Sequence, residues 1–106
     1  MEKENLITSL DNCINHCNHC SDACLDEEDV HMMVNCIRTD RACAVVCTAL
    51  KNLLTTNYSN VSGLVKYCID ICNACADECE KHDEVHCREC AKACRECAQA
   101  CTAFLN

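Results

Sequence analysis

The sequence predicts an all-α chain, folded as an antiparallel up-down-up-down four-helix bundle with a cysteine-lined core. Three observations predict it. The 106 residues include no Pro, one Gly and two Tyr, a poor inventory for tight turns or strands, and between the cysteines Ala, Glu, Lys, Leu and Asn dominate. Three polar breaks divide the chain: Asp26-Glu27-Glu28-Asp29, Thr55-Thr56-Asn57-Tyr58-Ser59-Asn60 and Lys81-His82-Asp83-Glu84. Sixteen cysteines recur at helical spacing on every segment between those breaks. At this length a single domain over residues 1–106 is expected.

The first helix is placed at Glu4 to Leu25 and carries Cys13, Cys17, Cys20 and Cys24, spelling CxxxCxxCxxxC. The second, Asp29 to Thr55, starts on Asp29 as N-cap and repeats the pattern with one substitution, as Cys36, Asp40, Cys43 and Cys47. Asn57 is a natural stop after it. The third helix, Val61 to Lys81, holds Cys68, Cys72, Cys75 and Cys79. The fourth, Asp83 to Leu105 with Asp83 as N-cap, holds Cys90, Cys94, Cys97 and Cys101, with Cys87 one step earlier. Steps of four, three and four average near 3.5 residues, so each copy lies on one helix face, where a heptad repeat puts its a and d residues. Connections this short make consecutive helices antiparallel.

Continuing each register outward tests whether the stripes form the inner seam. Leu6 and Leu10, Leu50 and Leu54, Val61 and Leu64, and Phe104 all fall on it, and in an antiparallel bundle they meet at one end as an apolar plug. The opposite end reads as a mouth. His82 follows Cys79 by three, His86 precedes Cys87, and Met32 stands four before Cys36 with His31 and Met33 beside it. Ten of the 17 acidic residues gather there as a rim. This field steers cations only modestly at cellular salt. Each stripe spans roughly 16 Å of tube at about 1.5 Å per residue. His16 and His19 flank the first stripe and are read as surface positions. Asp40 could be a hard oxygen ligand, a hydrogen-bond partner of thiols, or a side chain turned to the solvent flank. The last, or a pairing with Arg38 or Arg41 nearby, is favoured.

Only 21 residues are Leu, Ile, Val or Phe, near the level where chains stop burying enough apolar surface to fold, so cysteine must be part of the interior. Ile14, Ile37, Val46, Ile69 and Ile71 flank the stripes and supply packing without metal. A net charge of -8 argues against nucleic acid or an anionic membrane surface as partner. No run of 18 apolar residues exists, and the start MEKENLITSLDNC has no export pattern, so a cytoplasmic location is expected. No enzyme is expected either. There is no Gly-rich loop, and the thiols are too many and too equivalent for one nucleophile.

Thiols that merely fill a core carry an oxidation liability that Ala, Val or Leu would avoid. Iron–sulfur binding wants consecutive CxxC steps before a Pro, which the chain lacks. A disulfide-braced helical interaction module stays open, although cysteines on successive turns of one helix bridge poorly. A zinc-thiolate buffer also stays open, limited to about four tetrahedral ions by sixteen thiols. Copper(I) is favoured, because it is soft, selects thiolate and thioether, and accepts low coordination numbers. All sixteen cysteines are then candidate ligands, with His82, His86 and Met32 as candidate ligands at the mouth.

Four antiparallel helices, each with an inward CxxxCxxCxxxC copy between Cys13 and Cys101, resemble the bacterial copper storage proteins, cysteine-rich four-helix bundles. The missing leader makes the chain look most like their cytosolic branch. The resemblance implies high-capacity, reversible copper(I) storage, multiple ions per chain, admission at an open end bearing His or Met, and homotetramers of bundles. Copper ions are the implied partners, with a copper chaperone as a candidate donor. Two departures matter: Asp40 stands where the motif has Cys, and sixteen cysteines suggest a smaller capacity than the most cysteine-rich relatives.

Overall fold

The computed structural model describes residues 2–106, and its helices run α1 Glu2–Cys24, α2 Val34–Thr55, α3 Ser62–Cys79 and α4 Val85–Leu105. They stand in a square, with α1 and α3 each packed between α2 and α4. Sulfur neighbours show the directions. Cys13 meets Cys43 while Cys20 meets Cys36, Cys43 meets Cys72 while Cys36 meets Cys79, and Cys13 meets Cys94 while Cys20 meets Cys87. Numbers rise on one helix as they fall on the next, so all four neighbouring pairs are antiparallel. The result is a rod of 44 × 19 × 19 Å.

The apolar end forms as the register requires. Leu6, Leu10 and Leu50 are fully buried, and Leu54 and Val61 nearly so. One position differs. Val65, three residues before Cys68, is fully buried, whereas Leu64 and Phe104 pack only partly against the core. On α3 the three-residue step points into the seam and the four-residue step lies on its flank. Ile14, Ile37, Val46, Ile69 and Ile71 pack around the stripes as expected.

Asn57 ends α2 through its backbone. It adopts φ 60, and its N–H donates to Leu54 O at 3.2 Å while Tyr58 N–H donates to Leu53 O at 3.2 Å. This is the paired closure of a Schellman turn, in which Asn tolerates the left-handed conformation better than most residues. The two expected N-caps do not form. Asp29 precedes a 3₁₀ turn, Val30–Met33, with no side-chain cap, and α2 proper begins at Val34. At α4 the cap position falls on Glu84, in extended backbone, and Asp83 instead accepts from the Arg88 guanidinium through its carbonyl.

Candidate metal centre

Every one of the sixteen cysteines is a buried free thiol. Their sulfurs touch across the bundle, and along α1, α2 and α3, at 3.7–4.0 Å, as in Cys43 with Cys72 and Cys13 with Cys17, far beyond the roughly 2.05 Å of a disulfide bond. Within a helix the i,i+4 step sets two sulfurs on one face. Between helices the square arrangement brings a third and fourth donor to the same point.

The donors group into quartets whose ligand atoms lie within 4.8 Å of one another. Moving away from the plug, one quartet is Cys13, Cys47, Cys72 and Cys97, another Cys13, Cys17, Cys43 and Cys94, and another Cys17, Cys75, Cys90 and Cys94. Cys13, Cys17 and Cys94 each belong to two of these quartets. Overlap of this kind suits bridging thiolates, which share ions between neighbouring sites. Cys68 extends the column toward the plug through Cys47 at 3.8 Å, and Cys101 is buried beside it. At the other end burial pushes the Cys24 thiol up to about 12 and also raises Cys87. A soft cation bound at Cys24 and Cys87 must displace their protons.

Asp40 corrects the sequence reading. Its side chain is 0% exposed and points into the column, while Arg38 and Arg41 lie on the exposed surface. Cys75, Cys90 and Cys79 donate to its Oδ1 at 3.2, 3.3 and 3.6 Å, and Cys36 Sγ lies 3.9 Å from Oδ2. Register decides this: Asp40 is four after Cys36 and three before Cys43, so the stripe carries it inward whatever its polarity. Burial, reinforced by the neighbouring Cys90 and Cys75, pushes its carboxyl up to about 11. A neutral acid with Oδ1 accepting from thiols removes the cost of an unpaired buried charge. As a hard oxygen donor it is the one interruption in the soft lining of the column.

The mouth residues separate. His86 is drawn into the thiol cluster, with Nδ1 at 3.3 Å from Cys20 Sγ and 3.6 Å from Cys87 Sγ, and Nε2 at 2.8 Å from Glu27 Oε2. His82, in the turn after α3, pairs through Nε2 with Glu78 Oε2 at 3.1 Å, in the last turn of that helix. Met32 is 61% exposed, and Met33 at 3% takes the inward position. The 3₁₀ turn before α2 rotates the chain so that the three-residue step from Cys36 faces the core. Met32, Met33, His82 and Glu27 line one acidic depression of about 420 Å³ at this end. His31 pairs with Asp29 out in solvent, His16 is half-buried at the surface, and His19 is exposed with its ring edge-on to His86, centroids 6.5 Å apart. Sequence reasoning missed Glu27 as a partner of His86, since the two are 59 positions apart and no linear spacing links them.

Known proteins carry the same design. A sequence model of the copper storage protein family matches residues 1–106. A cysteine-rich protein of Bacillus subtilis (strain 168), YhjQ, described as uncharacterized, is 42% identical over 90 residues, spanning 85% of this chain and 83% of its own length. The Cu(I)-bound copper storage protein BsCsp3 superposes with a TM-score of 0.94 at 39% identity, covering 100% of both chains. A cytosolic copper storage protein from Streptomyces lividans, solved with five coppers, superposes with a TM-score of 0.93 at 43% identity, covering 98% of this chain and 92% of its own.

Proposed function

We propose that this chain, which belongs to the copper storage protein family, stores many copper(I) ions on the thiolates that line its core. The observation that carries the reading is the column of overlapping cysteine quartets, interrupted at one level by Asp40 and closed by leucines at one end. Charge explains why a monovalent soft ion suits it. Each copper(I) that replaces one thiol proton leaves the net charge of the buried column unchanged, so filling adds no unpaired charge to a low-dielectric interior. Zinc(II) on four thiolates would leave two excess negative charges at each site. Neutral exchange places the capacity near the number of thiols, sixteen.

Copper(I) is admitted at the open end. His86 beside Cys20 and Cys87, His82 in the depression, and Met32 on its rim are the soft donors at that end. The role is binding and release, with no catalytic step. The Streptomyces relative is a cytosolic protein, and we place this chain in the same compartment. Among the described residues no helix is long and apolar enough to cross a membrane. Assembly into a homotetramer fits the exposed groove along α1 and α2 lined by Ala44, Val45 and Ala49, and a copper chaperone fits as donor.

The test is an anaerobic copper(I) titration of the fully reduced protein against a chromophoric chelator. More than about ten ions withheld per chain supports low-coordinate thiolate storage. Saturation at one or two ions overturns it.

A further inference from the structure

We propose that Cys20, Cys24, Cys87 and His86 form a four-coordinate site for one zinc(II) ion at the mouth, with Glu27 holding the imidazole in place. Three thiols and one imidazole are a closed tetrahedral zinc donor set. Cys20 Sγ stands 4.0 Å from Cys24 Sγ, 3.8 Å from Cys87 Sγ and 3.3 Å from His86 Nδ1, and Cys87 Sγ is 3.6 Å from Nδ1. Tetrahedral zinc, with Zn–S of about 2.3 Å and Zn–N of about 2.0–2.1 Å, puts its donors about 3.5–3.8 Å apart. The four atoms all lie within 4.8 Å of one another, so small movements close the tetrahedron.

Sulfur contacts of this length recur throughout the column. The imidazole and its support single this quartet out. His86 Nε2 lies 2.8 Å from Glu27 Oε2, and since a carboxylate only accepts, it holds Nε2–H on its side and sets Nδ1 toward the sulfurs. A carboxylate behind a ligating histidine is the recurrent outer partner of zinc sites. Glu27 comes from the turn after α1 and His86 from the first turn of α4, so the pairing forms only when the bundle closes.

Charge selects this quartet over those deeper in the column. Zinc on four thiolates carries a net charge of minus two, in a column whose thiols are fully buried, with no Lys or Arg among the described residues that are buried. Zinc on three thiolates and a neutral imidazole carries minus one, and the site meets solvent through His86 and Glu27, whose side chains are 13% and 31% exposed. The smaller charge and the partial solvation both lower the desolvation cost. Binding displaces the thiol protons of Cys20, Cys24 and Cys87. Cys20 also touches Cys36 at 3.9 Å, the start of the inner column. Copper(I) passing inward through Cys20 therefore expels the zinc.

The experiment is an anaerobic titration of the reduced full chain with zinc(II) against a chromophoric chelator, repeated with cobalt(II) as a spectroscopic stand-in. One equivalent should bind ahead of any other, with a tetrahedral cobalt–thiolate spectrum and three protons released, and copper(I) should displace it. H86A should lose that first equivalent, and E27Q should weaken it about 10- to 100-fold, with helicity by circular dichroism unchanged in both. About four equal zinc sites in the wild type, or wild-type affinity retained in H86A, overturns the proposal. Wild-type affinity in E27Q overturns the role of Glu27. A full copper store without a tight zinc equivalent sinks this site alone, whereas one zinc site in a chain that holds only one or two coppers sinks the storage reading alone.

Discussion

Replacing Asp40 by Asn should stabilise the copper-free protein and remove most of its pH dependence between pH 5 and 7. The carboxyl sits near 11 when folded, against about 3.9 when unfolded. Between those values the unfolded chain binds fewer protons than the native one, so stability falls as pH rises. One pH unit is worth about 1.4 kcal/mol per group. From pH 5 to pH 7 the wild type should therefore lose up to about 2.7 kcal/mol, and at pH 7 the full contribution reaches about 4 kcal/mol, a large part of the roughly 5–15 kcal/mol that holds a domain folded. Asn keeps the carbonyl that accepts from Cys75, Cys90 and Cys79 and carries no ionisable proton. Urea unfolding of the reduced proteins at pH 5, 6 and 7, followed by circular dichroism, should give a falling line for the wild type and a flat one for D40N. The two should converge near pH 4, and D40N should lie above at pH 7. Parallel lines would show that the carboxyl ionises freely inside the folded protein, and the argument from burial would be wrong.

Leu50→Ala, at a fully buried site in the apolar end, should cost about 2–5 kcal/mol in the copper-free protein by urea unfolding, and the copper(I) count should stay the same because no thiol is moved. Asn57→Ala should cost about 1–2 kcal/mol, since Asn57 holds a φ of 60, and Asn57→Gly should cost less, as thermal unfolding will show. Arg95→Ala breaks contacts to Asp77 at 2.6 Å, Glu80 at 2.8 Å and Asn73 at 3.0 Å between α3 and α4. These are exposed, so the loss in melting temperature should be small and should vanish at high salt. Copper(I) loading should raise the melting temperature progressively, through preferential binding to the folded state, and a chelator should reverse it.

Much of the architecture was legible because one period governs the chain. A 4-3-4 spacing of cysteines places a stripe on each helix, and the residues continuing it, from Leu6 and Leu10 to Leu50 and Leu54, had to meet at one end once short loops made the helices antiparallel. Helix starts were harder to read. Asp29 and Asp83 have good capping chemistry, yet the chain enters α2 through a 3₁₀ turn and α4 through Glu84, because packing at the mouth outweighs a cap worth about 1 kcal/mol. The choices between Met32 and Met33, and between Leu64 and Val65, turned on whether the three- or four-residue step faces the seam. Near a helix end the local winding sets that choice.

Asp40 shows where linear reasoning gave polarity too much weight. Its register already put it inside, and only the three-dimensional arrangement shows the thiols of α2, α3 and α4 that satisfy it there. The pairing of His86 with Glu27 lies one step further from the sequence, because it joins the turn after α1 to the first turn of α4, 59 positions away. Spacing places the cysteine stripes on the inner face of each helix and points to thiol chemistry in the core, since a period repeated on every element leaves one face to bury. Partners across the bundle are set by how four helices close on one another, and that geometry is absent from the spacing along any one of them.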